Sequence, residues 1–279
     1  MRTTCRLVLA VLCVLALWSP VRAQVALSPQ IADISLNGPT TTHSFRLSNQ
    51  AKLPMHVAVT VSNWTMDVDG HVTTIPSTAQ SLDSWVEINP TTFTVTPGQS
   101  QVVRYAIRPA LALSPGEHRA MVFFTEQPTP QDTSKPATLR VYFRLGAAIY
   151  AHVGPVQENG EVRDIRADAH AAVFTLHNTG NATTRMRGQY ALWTVAAYPE
   201  TASISADQLQ ASFQPPTGLL HYGKLPQDAV LPGADRRVTL DFGRSPLPPG
   251  HYVLRARGTL GATVIDRTLR FDVAASTRH

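Results

Sequence analysis

From Ser84 to Phe124 the chain reads SWVEINPTTFTVTPGQSQVVRYAIRPALALSPGEHRAMVFF, a stretch that proline and glycine cut into apolar runs too short for helices. Trp85, Val86 and Ile88 are stopped by Pro90. Phe93 and Val95 alternate with threonines before a Pro97-Gly98 turn, and Val102, Val103, Tyr105 and Ile107 are closed by Pro109. A second Pro-Gly turn at Pro115-Gly116 launches Met121 to Phe124. Strands spaced about ten residues apart by such turns, with no helical period between them, predict an antiparallel β-sandwich.

The same pattern extends in both directions. Upstream, Val25 and Leu27, then Ile31, Ile34 and Leu36, then Phe45 and Leu47 alternate as a half-buried sheet requires, with a turn at Asn37-Gly38-Pro39. Val57, Val59 and Val61 lead to Trp64 and a turn at Asp67 to Gly70, after which Thr73 to Ser84 reads as a polar loop. Downstream, Glu126 to Lys135 holds no large apolar residue and reads as a mobile loop. It enters a long strand from Ala137 to Val153, expected at the edge of the first sheet set, in which Leu139, Val141, Phe143 and Leu145 point one way and Arg140, Tyr142 and Arg144 the other.

From about Gly154 the signals recur in the same order. Phe174 and Leu176 lead to Asn178 as Phe45 and Leu47 lead to Asn49; Pro232-Gly233 answers Pro97-Gly98; Pro249-Gly250 answers Pro115-Gly116. The chain is therefore all-β, two tandem immunoglobulin-like β-sandwich domains, residues 24–153 and 154–279. The second copy carries an insertion over residues 198–224, with a short helix around Ala206 to Ala211.

Residues 1–23 read as a signal peptide. Arg2 and Arg6 precede an apolar run from Leu7 to Trp18, and Val21-Arg22-Ala23 places small residues at the cleavage spacing. The run is too short to cross a hydrocarbon core of about 30 Å, and no later segment approaches the required length, so no membrane span is expected after cleavage. Leu12 ahead of Cys13 argues against a lipid-anchored cysteine. Both cysteines, Cys5 and Cys13, leave with the signal, so the exported chain depends on its core without disulfides. The formal charge of +5 drops to +2 when Arg2, Arg6 and Arg22 leave, and the remaining basic residues are scattered, which removes the case for nucleic acid.

The ten histidines show no metal-ligand spacing, and there is no nucleophile elbow, dinucleotide fingerprint or phosphate loop. No catalytic residue, metal ligand or cofactor is expected, and an enzyme would need a convergent polar pocket that the sequence does not announce. Trp64 and Trp85 read as buried sandwich aromatics rather than ligand platforms.

Taken together, the export signal, the strand ending Leu47-Ser48-Asn49, the run from Ser84 to Ile107, the SPGEHRAMVFF run with Arg119, the mobile loop and the long strand resemble the periplasmic pilus-assembly chaperones of the chaperone/usher pathway. The resemblance covers nearly all of the first domain and is vaguer over the second. It implies a periplasmic protein whose partners are pilus (fimbrial) subunits and an outer-membrane usher. It also implies β-augmentation, the loan of an alternating apolar strand to a subunit whose own fold lacks one. The matching donor residues are Leu139, Val141, Phe143 and Leu145. Alternation alone allows these four to face a partner's groove or their own core. Two departures stand out. The arginine and lysine with which the family grips a subunit's terminal carboxylate are replaced by Gln30-Ile31 and Ala147-Ala148, and the glutamate that commonly follows the family's arginine is Ala120. The other class of function open to such a chain is an exported immunoglobulin-like binding or structural module.

Overall fold

The computed structural model describes residues 24–36, 42–109, 112–128, 141–200 and 214–275. The signal peptide, the turn at Asn37, Leu139 and the expected helix at Ala206 lie outside them. The first sandwich packs two sheets. One is antiparallel, in the order β1 (Val25–Ser28), β3 (Thr42–Asn49), β8 (Ser100–Ile107), β6 (Val86–Asn89). The other runs β2 (Ile31–Ser35), β10 (Arg144–Val153), β9 (Gly116–Glu126), β4 (Met55–Met66). The long β4 serves two short strands, β7 (Thr92–Val95) along its first half and β5 (Val72–Ile75) along its second. Alternation turns Phe45, Leu47, Val103, Val122, Phe124 and Ile149 inward, where Phe45 stacks on Tyr105 at 4.8 Å and meets Phe124 edge-on at 6.0 Å.

The second sandwich pairs a sheet of β11 (Gly160–Ala167), β12 (Ala171–Asn178) and β15 (Asp235–Asp241) with one ordered β14 (Leu219–Lys224), β13 (Met186–Thr194), β16 (Gly250–Leu260), β17 (Thr263–Val273). The end of the expected insertion is thus β14, a regular strand beside β13. Phe174, Leu176, Leu192, Phe242 and Leu254 form its core.

A shared device ties the two sandwiches to one pattern. Asn49 is 1% exposed and Asn178 0%. The Asn49 amide donates to the carbonyls of Leu53 and Val95, both at 2.8 Å, while its oxygen accepts from the Ala51 N–H. Asn178 repeats this with Ala182, Val230 and Gly180. Each amide thereby holds rigid the loop that follows its strand, with its polar groups satisfied in the core.

Three expectations need correcting. Thr73 to Ser84 is not all loop: β5 occupies its start, and a 3-10 turn at Leu82–Trp85 buries Leu82 and Trp85. The long strand begins at Arg144, because its antiparallel neighbour β9 ends at Glu126 and leaves Val141 and Tyr142 without a ladder. Nor is β10 the sheet edge along its whole length. After β1 joins the first sheet the chain crosses to the second, where β2 pairs in parallel with Ala148 to His152.

The sandwiches meet through a hairpin and a small apolar cluster. Asp69, at the tip of β4–β5, forms two bonds to Arg237 on β15, at 2.8 and 2.6 Å, and the Arg237 N–H donates to the Val68 carbonyl at 2.7 Å. Gly70, at φ +89°, lies so close under Arg236 that a Cβ would overlap the guanidinium. Trp64, Met121, Ala148 and Tyr150 of the first sandwich pack with Leu231 of the second. Trp64 is buried, as expected, but between the sandwiches rather than inside one.

Candidate functional site: a half-paired strand and the cleft beside it

Successive residues of a strand turn their backbone groups to opposite sides, so a few bonds fix the parity of β10. The Ala148 N–H donates to the Gln30 carbonyl and the His152 carbonyl accepts from Leu36, so even-numbered residues face β2. The Phe143 carbonyl accepts from Glu126, so odd-numbered residues face β9. The register with β2 stops at Ala148. Arg144 and Gly146 therefore turn their N–H and C=O groups toward a side where, among the described residues, no strand lies. Gly146 has no side chain to obstruct approach, and the Arg144 guanidinium lies over the Phe123 ring at 3.8 Å, folded back onto the outer face.

Side chains on the odd face grade from inside to outside. Ala147, Ile149 and Ala151 are fully buried, Leu145 and Phe143 are partly buried against the same core, and Val141 is 83% exposed. The expected donor residues thus do not share one environment. Where the strand passes its last partner, the face that built the core continues into solvent. Beside it opens a groove of about 770 Å³, walled by Val25, Leu53, Pro54 and Met55 on one side and Val141 and Phe143 on the other, with Lys52 and Glu126 lining it as well. Sequence reasoning located the strand but missed this groove, because Leu53 and Val141 lie far apart in the chain and only the fold brings them together.

Toward its other end β10 borders a cleft between the sandwiches. Ala147 and Ala148 offer it no charge, and Ile31 lines it half exposed. The charges come from elsewhere. Glu117 on β9, with its side chain 1% exposed, accepts from Arg119 at 3.0 Å and from the Thr183 hydroxyl and N–H, both at 2.7 Å. His152 stands 3.5 Å from Glu117 and 3.1 Å from Asp33. Arg119 also lies 5.7 Å from the centre of the Trp64 ring. Across the cleft the second sandwich contributes Arg185 and Arg187, and among the described residues neither forms an ion pair with a carboxylate. Burial pushes the Tyr150 phenol above its ordinary pKa, and the neighbouring Arg185, which hydrogen-bonds it, works against that rise. No sequence signal singled out Arg185 and Arg187, whose role depends on the domain arrangement. Among the described residues no group of three His, Cys, Asp or Glu is placed to hold a metal ion, and no helix is long and apolar enough to cross a membrane.

No protein-family model matches the chain, and no curated protein matches it. Solved structures to which it is similar include the YadV chaperone, 12% identical over 89% of this chain and 100% of that one, with a TM-score of 0.44. Another is the class 5 fimbriae chaperone CfaA, 12% identical over 90% and 100%, with a TM-score of 0.45. A third is the Salmonella enterica SafA pilin in complex with the SafB chaperone, 14% identical over 91% and 98%, with a TM-score of 0.42.

Proposed function

We propose that this protein is a non-enzymatic periplasmic chaperone for pilus subunits that works by β-augmentation, presenting β10 and the residues before it to a subunit with an incomplete immunoglobulin-like fold. The observation that carries the reading is the half-paired strand, in which one apolar face passes from the protein's own core into solvent at Val141. Backbone groups of Arg144 and Gly146 supply sequence-independent pairing, and Val141 and Phe143, with Leu139 as the next residue of that parity, supply side chains for a subunit's groove. Full burial of one such side chain contributes about 1.5 to 3 kcal/mol, less the cost of ordering the segment. In place of the family's arginine and lysine, Arg185 and Arg187 of the second sandwich line the cleft, form no ion pair among the described residues, and are suited to a terminal carboxylate. Delivery to an outer-membrane usher follows from the same reading.

Val141→Glu tests it. The substituted residue lies in solvent in the free protein, so the fold is retained, while co-purification with a subunit from the periplasm is expected to fall at least tenfold. A Val141→Glu/Phe143→Glu pair abolishes it. Undiminished capture by both variants overturns the donor-strand reading in favour of an exported immunoglobulin-like module that binds through other surfaces. Arg185→Ala/Arg187→Ala tests the anchor separately and leaves the strand intact.

A further inference from the structure

The loops held by Asn49 and Asn178 are structural equivalents with different occupants. In the second sandwich this loop grips a neighbouring immunoglobulin-like domain: the Asn181 carbonyl accepts from the Glu117 N–H at 2.9 Å, and Thr183 donates twice to the Glu117 carboxylate. Ala182, whose carbonyl Asn178 holds, is 1% exposed beside that contact. In the first sandwich the same position is Leu53, held through its carbonyl by Asn49 yet 62% exposed. A single exposed leucine is ordinary on a protein surface. This one is fixed by a buried amide at the tip of a loop whose counterpart docks a sandwich, and it walls the same groove as Val141.

We infer that the loop from Gln50 to Pro54 is a second docking element, and that its occupant is the immunoglobulin-like sandwich of the subunit engaged by β10. The inference rests on the proposed function and deepens it. A strand laid beside Gly146 sits about 4.8 Å away and turns alternate side chains toward the space between the sheets, where the groove opens. One apolar side chain of that strand fills the groove between Val141 and Leu53. The contact is apolar where the second sandwich's is polar, because Pro54, at the position of Thr183, has neither the N–H nor the hydroxyl that grips Glu117. Asn49 holds the loop in place beforehand, so little ordering cost falls on binding. The loop therefore selects among subunits by the bulk of that side chain.

A photo-crosslinking amino acid, p-benzoylphenylalanine, placed in turn at positions 53, 141 and 264 of the full chain tests this during expression in the periplasm, with adducts identified by mass spectrometry. Val264 is exposed on the second sandwich and serves as the control. Positions 53 and 141 are expected to capture the same polypeptide, a pilus-type subunit, and position 264 to capture none of it. An adduct at 141 with none at 53, a different polypeptide at 53, or a dimer of this chain at 53 overturns the loop inference and leaves the strand reading standing. No subunit adduct at either position removes both. Leu53→Asp, with an unchanged melting temperature, is expected to lower subunit capture about fivefold, and unchanged capture counts against the loop.

Discussion

β10 and β17 close their respective sandwiches, and among the described residues each leaves one edge of its sheet unpaired for at least part of its length. β17 pairs with β16 from Thr263 to Val273 without interruption; Ile265, Leu269, Phe271 and Val273 pack on the domain's own core, and Val264 alone of its apolar residues stands in solvent. Charges guard its other face: Asp266 pairs with Arg255 and Arg257, Asp272 with His251, and Arg270 with Glu200. Such charges are how a sheet edge avoids recruiting another chain. Where it is bare, the described part of β10 carries no ion pair of this kind. Its open portion presents Gly146, an arginine folded away onto Phe123, and an apolar face that runs out to Val141. The difference teaches that a free edge alone does not make a binding strand. The proposed strand donation rests on a different combination, an edge without such ion pairs whose inward face continues past its own core.

The largest effect that separates the two strands is expected at their apolar residues. Phe271 stacks between Phe242 and Tyr252 at 6.0 and 5.6 Å, so Phe271→Glu should cost about 3 kcal/mol or more in urea unfolding. Val141→Glu should stay within about 0.5 kcal/mol. Equal costs would erase the distinction. The asparagines probe the likeness instead: Asn49→Ala and Asn178→Ala each strip three hydrogen bonds from buried or part-buried positions and should cost about 2 to 3 kcal/mol apiece. A variant that spares either domain would show that the repeat is only apparent.

The smallest effect lies in the hairpin turns. The Asp67 carboxyl is drawn down from 3.8 to about 2, first by the His71 N–H and then by the His71 ring. Asp168, in the β11–β12 turn of the second sandwich, is lowered by the N–H groups of His170 and Ala171. A depressed carboxyl stabilises the fold above its unfolded pKa, and that contribution disappears as pH falls from about 3.8 through about 2. Carboxyl NMR titration should place Asp67 near 2, and His71→Ala should raise it only part of the way, since the backbone N–H remains.

Much of the fold was legible because turn chemistry is local. Pro97-Gly98 and Pro232-Gly233 mark their turns without reference to the rest of the chain, and the inward faces of β3 and β12 follow from alternation. Alternation does not say which sheet a strand joins, so the crossing between β1 and β2 was invisible, and with it the length of β10 left bare. β5 was hidden because its four residues are all exposed and carry only two apolar side chains. Glu117 was missed for a related reason: a carboxylate in a Gly-Glu-His-Arg run reads as surface, and only the second sandwich, supplying Thr183, covers it. The alternation of Val141, Phe143 and Leu145 was legible as a pattern, but their graded exposure depends on where β9 stops.

The crossing of the chain between Ser28 and Ile31 has one more result. The residues just upstream of β2 are committed to the opposite layer, where Val25 to Ser28 are stitched to β3. The protein therefore cannot heal its own vacancy by sliding its first strand across. Among the described residues no strand occupies that place, so a segment arriving there would have no described neighbour to displace.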